Sequence, residues 1–240
     1  MAAIVMGHVG GEVGSSAPGH LKDFHGCHHD CVTGLVKLMD NTRLASCSFD
    51  KHIKVWDIST HSCQMTLSGH AEEITALIEL NDGRLASGCT NGTIRIWNIS
   101  TEGLGTCEIT LESSSVLCLL QLKSLPVALP SPPGSPKTTK TSLPQVTGDF
   151  TDRICCGHQN GTITIWDIST GQCLQTLTGH SNMINSVIQL HDGRLCSCST
   201  DKTVKLWDLH TNACVKTLKG HTSHVRCVCQ LPDGRLCTGR

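Results

Sequence analysis

Two trios of side chains, His28 with Ser46 and Asp50 and His180 with Ser197 and Asp201, supply a hydroxyl, an imidazole and a carboxylate. Those are the groups of a nucleophile, a general base and its orienting acid, so the chemistry they could perform is acyl transfer. A second cluster, Cys27-His28-His29-Asp30-Cys31, carries the thiol and imidazole ligands of a zinc site. Placement argues against both. A catalytic trio occurs once per enzyme, in a cleft with an oxyanion site, whereas these trios recur along the chain beside Trp56 and Trp207. In the cysteine cluster, alternating residues of a strand would point apart, and no second ligand pair with zinc-like spacing follows. Adjacent Cys155-Cys156 suits core packing and not chelation. No carboxylate pair or glycine-rich phosphate loop stands outside the recurring pattern. The expectation is no catalytic residue, no metal and no cofactor.

Composition narrows the function classes further. The 240-residue chain balances 19 Lys+Arg against 20 Asp+Glu and has no Tyr, which opposes nucleic-acid binding. No apolar run of about 18 residues appears, so no membrane insertion is expected. The start, MAAIVMGHVGGEVG, lacks the basic and apolar regions of a secretory signal. Among the 16 cysteines, Cys47, Cys89, Cys155, Cys156, Cys196, Cys198 and Cys237 fall in equivalent apolar strands. Cys63, Cys107, Cys173 and Cys214 share another repeated position. Repetition in separate units suits buried thiols better than bridges, so the expected location is intracellular, in the cytoplasm or nucleus.

The elements that position these residues are repeats. SFDKHIKVWDIST, CTNGTIRIWNIST, HQNGTITIWDIST and STDKTVKLWDLHT align without gaps at 48–60, 89–101, 158–170 and 199–211. Trp56 to Trp97 and Trp166 to Trp207 are each 41 residues, and Trp97 to Trp166 is 69. In the fourth unit, strands are expected at Ile184–Leu190, Arg194–Ser199, Thr203–Asp208 and Cys214–Leu218, with turns at His191-Asp192-Gly193 and Thr200-Asp201-Lys202. A four-stranded unit cannot bury both faces alone, so neighbours must stack around an axis.

The recurring Gly-His and Trp-Asp pairs resemble the WD-repeat β-propeller family over roughly residues 21–240. The resemblance implies an all-β propeller of four-stranded blades, with four complete repeats and the start of a fifth. Residues 1–20 are expected to be a flexible N-terminal segment. It also implies a hydrogen-bonded tetrad of His, Ser or Thr, Asp and Trp in each blade. The first blade offers His28, Ser46, Asp50 and Trp56, and the fourth His180, Ser197, Asp201 and Trp207. The second offers His70, Ser87 and Trp97, with Asn91 in the acid position. The third has Glu112, Cys156 and Asn160 beside Trp166 and is expected to be the least rigid, while His221 and Thr238 open a fifth.

Between the first two strands of the third blade lies a Pro-, Ser- and Thr-rich insertion at 123–152, expected to be disordered. Its Pro130, Pro133 and Pro136 give PxxP spacings, and Ser131 and Ser135 precede prolines, as kinase sites do.

In the resembled family, partners meet the positions three and five residues after the tetrad His and the residue before the tetrad acid. Here the expected face comprises Phe49, Glu73, Thr75, Met183, Asn185, Thr200, His224 and Arg226, with Cys31, Thr33, Thr90, Ser115, Leu117 and Gln159 at equivalent positions. Aromatic and Arg hot spots single out Phe49 and Arg226, with Met183 beside them. The implied function is a non-enzymatic scaffold binding proteins or peptides. A ubiquitin-ligase substrate subunit is the first alternative, although Ser59, Ser100, Ser169 and His210 occupy the Arg position of the Trp-Asp-x-Arg pattern. An enzyme or metal-binding protein ranks last. The truncated fifth unit leaves open sheet edges, so ring completion by further blades or self-association is expected.

Overall fold

Turn chemistry and alternating apolar residues cut the chain into short antiparallel strands that form consecutive sheets. The computed structural model describes residues 27–100, 105–123 and 152–240. The first blade contains β1 (Val32–Lys37), β2 (Arg43–Ser48), β3 (His52–Asp57) and β4 (Cys63–Ser68). The second contains β5 (Ile74–Glu79), β6 (Leu85–Cys89), β7 (Thr93–Asn98) and β8 (Thr106–Glu112). The third contains β9 (Val116–Gln121), β10 (Arg153–His158), β11 (Ile163–Asp167) and β12 (Gln172–Leu177). The fourth contains β13 (Ile184–Gln189), β14 (Leu195–Ser199), β15 (Val204–Asp208) and β16 (Ala213–Leu218). A two-stranded sheet, β17 (Cys227–Gln230) with β18 (Leu236–Gly239), begins a fifth unit. This is an all-β array of blades of the β-propeller type, and among the described residues the sheets do not close into a ring.

The core lies between blades, because each sheet presents an apolar face to the next. Ala45, Cys47, Ile53, Val55 and Leu67 of the first blade pack on Ile74, Leu77, Leu85 and Trp97 of the second. The same pattern recurs at the next three contacts. The first strand of each blade touches that of the next, β1 on β5, β5 on β9, β9 on β13 and β13 on β17. Leu35 of β1 is 51% exposed, whereas Leu77, Val187 and Val228 at the same position are 6–7% exposed under the preceding blade.

Two sets of hydrogen bonds lock neighbouring blades, and sequence reading anticipated neither. At one end Thr33 Oγ1 donates to Ile74 O at 2.6 Å, Asn185 Nδ2 to Val225 O at 2.7 Å, and Thr75 Oγ1 to Val116 O. Leu117 stands at this position in the third blade and has no group to donate. At the other end the N–H groups of Met39, Asn81, Lys123 and His191 donate to the side chains of Glu79, Gln121, Gln189 and Gln230 at 2.7–2.8 Å. A loop N–H thereby finds an acceptor one blade away.

The insertion enters a closed ladder: Leu122 N–H donates to Arg153 O and Ile168 N–H to Asp152 O on its flanks. Ser131 and Ser135, like residues 1–20, lie outside the described residues. The bend in the outer strands has a sequence signature. A register shift next to Cys63, Cys107, Cys173 and Cys214 lets each Sγ reach the carbonyl two residues on, at 3.4–3.6 Å. No disulfide joins any of the 16 cysteines.

Candidate functional site

Three of the tryptophans are held by a Ser and a His. The indole N–H of Trp56 donates to Ser46 Oγ at 2.8 Å, and Ser46 Oγ lies 2.8 Å from His28 Nε2. His28 Nδ1 is 2.8 Å from Asp50 Oδ2. An indole can only donate and a hydroxyl has one proton, so Ser46 donates to Nε2 and the proton on Nδ1 goes to the carboxylate. The fourth blade repeats these contacts, with Trp207 to Ser197 at 2.8 Å, Ser197 to His180 at 2.8 Å and His180 to Asp201 at 2.7 Å. Burial lowers the pKa of both imidazoles, and the Asp partner only partly opposes it, so both are neutral. Burial pushes Asp201 up, but bonds from Thr203, His180 and Ser181 outweigh it and hold the carboxyl at about 2. The glycine before the His has a packing reason in the fourth blade: Gly179 takes φ +153°, and a Cβ there would lie 3.1 Å from the Trp207 ring.

This geometry removes the two trios as nucleophile–base pairs. Ser46 and Ser197 are fully buried with both hydroxyl functions engaged, so neither can reach a substrate. His28, the central ligand of the Cys27–Cys31 cluster, has both ring nitrogens occupied. Among the described residues no three His, Cys, Asp or Glu side chains converge on a metal position.

The second blade departs from the expected tetrad. His70 Nε2 lies 2.6 Å from Ser87 Oγ, which accepts from Trp97 at 2.8 Å, but His70 Nδ1 has no partner. Asn91 does not reach it. Asn91 Oδ1 accepts from Thr93 N at 2.9 Å and Cys89 Sγ at 2.7 Å, leaving only an NH2 donor on the other arm. Asp50 and Asp201 have two acceptor oxygens, one for the turn N–H and one for the imidazole. Burial, and then the charge of Arg95, lower His70 to about 4.

The third blade corrects the sequence reading more strongly. Glu112, Cys156 and Asn160 do not form a network with Trp166. Trp166 Nε1 donates instead to Thr164 Oγ1 at 2.8 Å, and Thr164 Oγ1 lies 2.7 Å from His158 Nε2. His158 is fully buried, neutral because burial lowers its pKa, and bonds Ser114 O through Nδ1 at 3.0 Å. Thr164 sits directly across the sheet from Cys156, the residue that replaced the Ser. In the other blades the Thr164 position is Lys54, Arg95 or Lys205. His158 occupies the position of Ser48 and Ser199, whose hydroxyls bond the equivalent loop carbonyls of Asp30 and Asn182. One imidazole therefore takes over both a loop tie and the indole network. The tetrad positions of this blade do depart from the pattern, as the sequence shows, and the indole network is carried by a hydroxyl on the neighbouring strand. The His-x-x-x-x-x-Thr-x-Trp run at 158–166 was its signal in the sequence.

The proposed partner face also has a definite geometry. In each complete blade the N–H before the acid position donates to the carbonyl of the residue three after the tetrad His position: Phe49 to Cys31, Thr90 to Glu73, Gln159 to Ser115 and Thr200 to Met183, each at 3.0 Å. These bonds set the two positions side by side at one end of every blade. Phe49, His224 and Arg226 are exposed, and Glu73 and Met183 are half-buried. Glu73 accepts from Thr90 Oγ1 at 2.9 Å. Thr33, Thr75 and Asn185 are engaged in blade-to-blade bonds, and Thr200 is buried against Asn185. These four are positioned to hold the face and not to touch a partner first. His221 and Thr238 begin the fifth unit with a 2.8 Å bond.

Stacked four-stranded blades anchored through a buried Trp define the chain as a β-propeller repeat protein. The family described as WD domain, G-beta repeat, matches at 19–57, 61–98, 171–208 and 212–240, more than half of the chain, and the chain belongs to it. The unmatched interval, 99–170, contains the relocated network. The chain is similar to Mitochondrial division protein 1 of Schizosaccharomyces pombe, 30% identical over 62% of this chain and 22% of that protein. It is also similar to F-box/WD repeat-containing protein sel-10 of Caenorhabditis elegans, 32% identical over 47% of this chain and 19% of that protein. Autophagy-related protein 16 of Arabidopsis thaliana is 23% identical over 64% and 25% respectively. The chain thus spans about a quarter or less of these relatives. WD repeats generally serve as non-enzymatic protein-interaction scaffolds.

Proposed function

We propose that this chain is a protein-binding scaffold whose recognition face is the blade end bearing Phe49, Glu73, Met183, His224 and Arg226. The observation that carries the reading is the repeated backbone bond that places Cys31 beside Phe49, Glu73 beside Thr90 and Met183 beside Thr200 on rigid blades. A fixed array of mixed polar and apolar contacts suits a peptide or a protein loop better than a small molecule. A narrower version, substrate recognition for a ubiquitin ligase, has in its favour the likeness to a protein named for an F-box and WD repeats. The exposed Leu35 favours coverage of β1 by a further blade-like surface. Thiols left without disulfide bridges favour an intracellular location. Quantitative capture of partners by the wild type, by Met183→Ala/Arg226→Ala and by the outer-strand control Leu174→Ala/Val215→Ala tests the face. The face variant should lose partners that the control retains, with unchanged melting; equal capture by all three would refute it.

A further inference from the structure

We propose that Asn91 is a modification site, where spontaneous deamidation at Asn91-Gly92 converts the amide to a carboxylate and completes the second blade's network. Asn91 is exposed and is followed by Gly92, which has no Cβ to shield its nitrogen and takes φ +94°. In the reaction the Gly92 backbone nitrogen, deprotonated by hydroxide, bonds to Asn91 Cγ. The Cγ–Nδ2 bond breaks and ammonia leaves with a proton from water. Water then opens the cyclic imide, so the net change is amide plus water to carboxylate plus ammonium. Opening at one carbonyl returns α-linked aspartate; opening at the other gives a β-linked residue.

Two features of the site favour this step. Oδ1 accepts from the Thr93 N–H and the Cys89 S–H, a donor pair that polarises Cγ and stabilises charge on the oxygen as the nitrogen attacks. Nδ2, the leaving group, makes no hydrogen bond among the described residues. The second Asn-Gly pair is an internal comparison. Asn160 is also exposed, Gly161 also has positive φ, and Asn160 Oδ1 likewise accepts two donors, the N–H and O–H of Thr162. The difference lies in the leaving group, because Asn160 Nδ2 donates to Ser114 Oγ at 3.2 Å, which retains the amide. Both glycine N–H groups are engaged, Gly92 with Cys89 O at 3.1 Å and Gly161 with His158 O at 3.2 Å, so both reactions wait on the same local opening.

The product has a use only in the second blade. His70 is 7% exposed and its Nδ1 lacks an acceptor. An aspartate at 91 could keep the Thr93 bond with one oxygen and receive His70 Nδ1–H with the other, as Asp50 and Asp201 do. In the third blade the indole network runs through Thr164 and His158, so Asn160 has no such vacancy beside it.

The test ages the purified chain at mildly alkaline pH and maps peptides by mass spectrometry, with separation of α- and β-linked products. Asn91 should convert several-fold faster than Asn160, and the α-linked fraction should melt higher, matching a directly made Asn91→Asp variant. An Asn91→Gln chain, which cannot form the five-membered imide, should age without that rise. Conversion at Asn160 first, an unaltered Asn91, or an α-linked fraction that melts no higher than the starting chain would overturn the proposal.

Discussion

Replacing Thr164 with Val is the sharpest perturbation of the third blade, because it keeps the β-branched shape and deletes a single hydroxyl. That oxygen accepts from Trp166 Nε1 at 2.8 Å and donates to His158 Nε2 at 2.7 Å, all three residues being buried. The variant strands the indole donor and leaves His158 Nε2 only the longer contact with Ser113 Oγ, at 3.4 Å. At about 1–3 kcal/mol for the buried indole left unpaired and about 0.5–1.5 kcal/mol for the lost bond to the imidazole, we expect a loss of roughly 2–4 kcal/mol. For a chain of this size about 2–4 °C accompanies each kcal/mol, so the melting midpoint should fall by roughly 5–15 °C. The rescue is specific. Cys156 pairs directly across from Thr164 and aligns with Ser46, Ser87 and Ser197. Adding Cys156→Ser to the Thr164→Val chain puts a hydroxyl where the other blades carry it, and at least half of the loss should return. Calorimetry and urea unfolding of the wild type, both single variants and the double variant form a complete cycle. A Thr164→Val chain within about 0.5 kcal/mol of wild type, the range of an ordinary surface change, would refute the relocated network. So would a double variant no more stable than the Thr164→Val single one.

Asn91→Asp should raise stability by about 1–2 kcal/mol by giving His70 Nδ1–H a charged acceptor, read as a higher urea midpoint at neutral pH. Acidification should destabilise the chain in two windows. His70 has a folded pKa of about 4 against an ordinary 6.5, so the unfolded chain takes up the proton first and stability falls as pH drops from 6.5 to 4. His28, His158 and His180 are lowered by burial and act in the same direction. Asp201, held at about 2 against 3.8, adds a further loss as pH falls from 3.8 towards 2. Unfolding midpoints across pH should show both windows, with Asn91→Asp flattening the first. Gln121→Leu should cost about 1 kcal/mol by removing the acceptor for the Asn81 N–H, measured by the same unfolding.

The blade architecture was legible because its signals are local. Asp-Gly turns, β-branched runs and a 41-residue spacing placed the fourth blade's strands to within a residue or so of β13–β16. Aligning residues by repeat position served where one position keeps one role, as at Ser46 and Ser197. It misled at Asn91, where an amide has one acceptor oxygen and the turn N–H claims it. It misled again at Cys156, because the replacing hydroxyl came from Thr164 on the adjacent strand, a position occupied elsewhere by Lys or Arg. The ties from Glu79, Gln121, Gln189 and Gln230 were invisible for a different reason. Each acceptor serves a backbone N–H of the previous blade, and a backbone donor leaves no mark on the sequence. Thr75 and Asn185 stand at positions that the family resemblance places on the recognition face, and their side-chain donors cross to the next blade.

Rigid blades, each anchored through its own buried tryptophan, are what the recognition face requires, and the chain has four tryptophans, one in each complete blade. Hydrogen exchange of the four indole N–H groups by NMR reports on those anchors one at a time. All four should exchange slowly, Trp166 included, and Thr164→Val should release Trp166 while leaving Trp56, Trp97 and Trp207 protected. A Trp166 indole that exchanges as fast as an exposed one in the wild type would contradict the third anchor and the rigid array built on it.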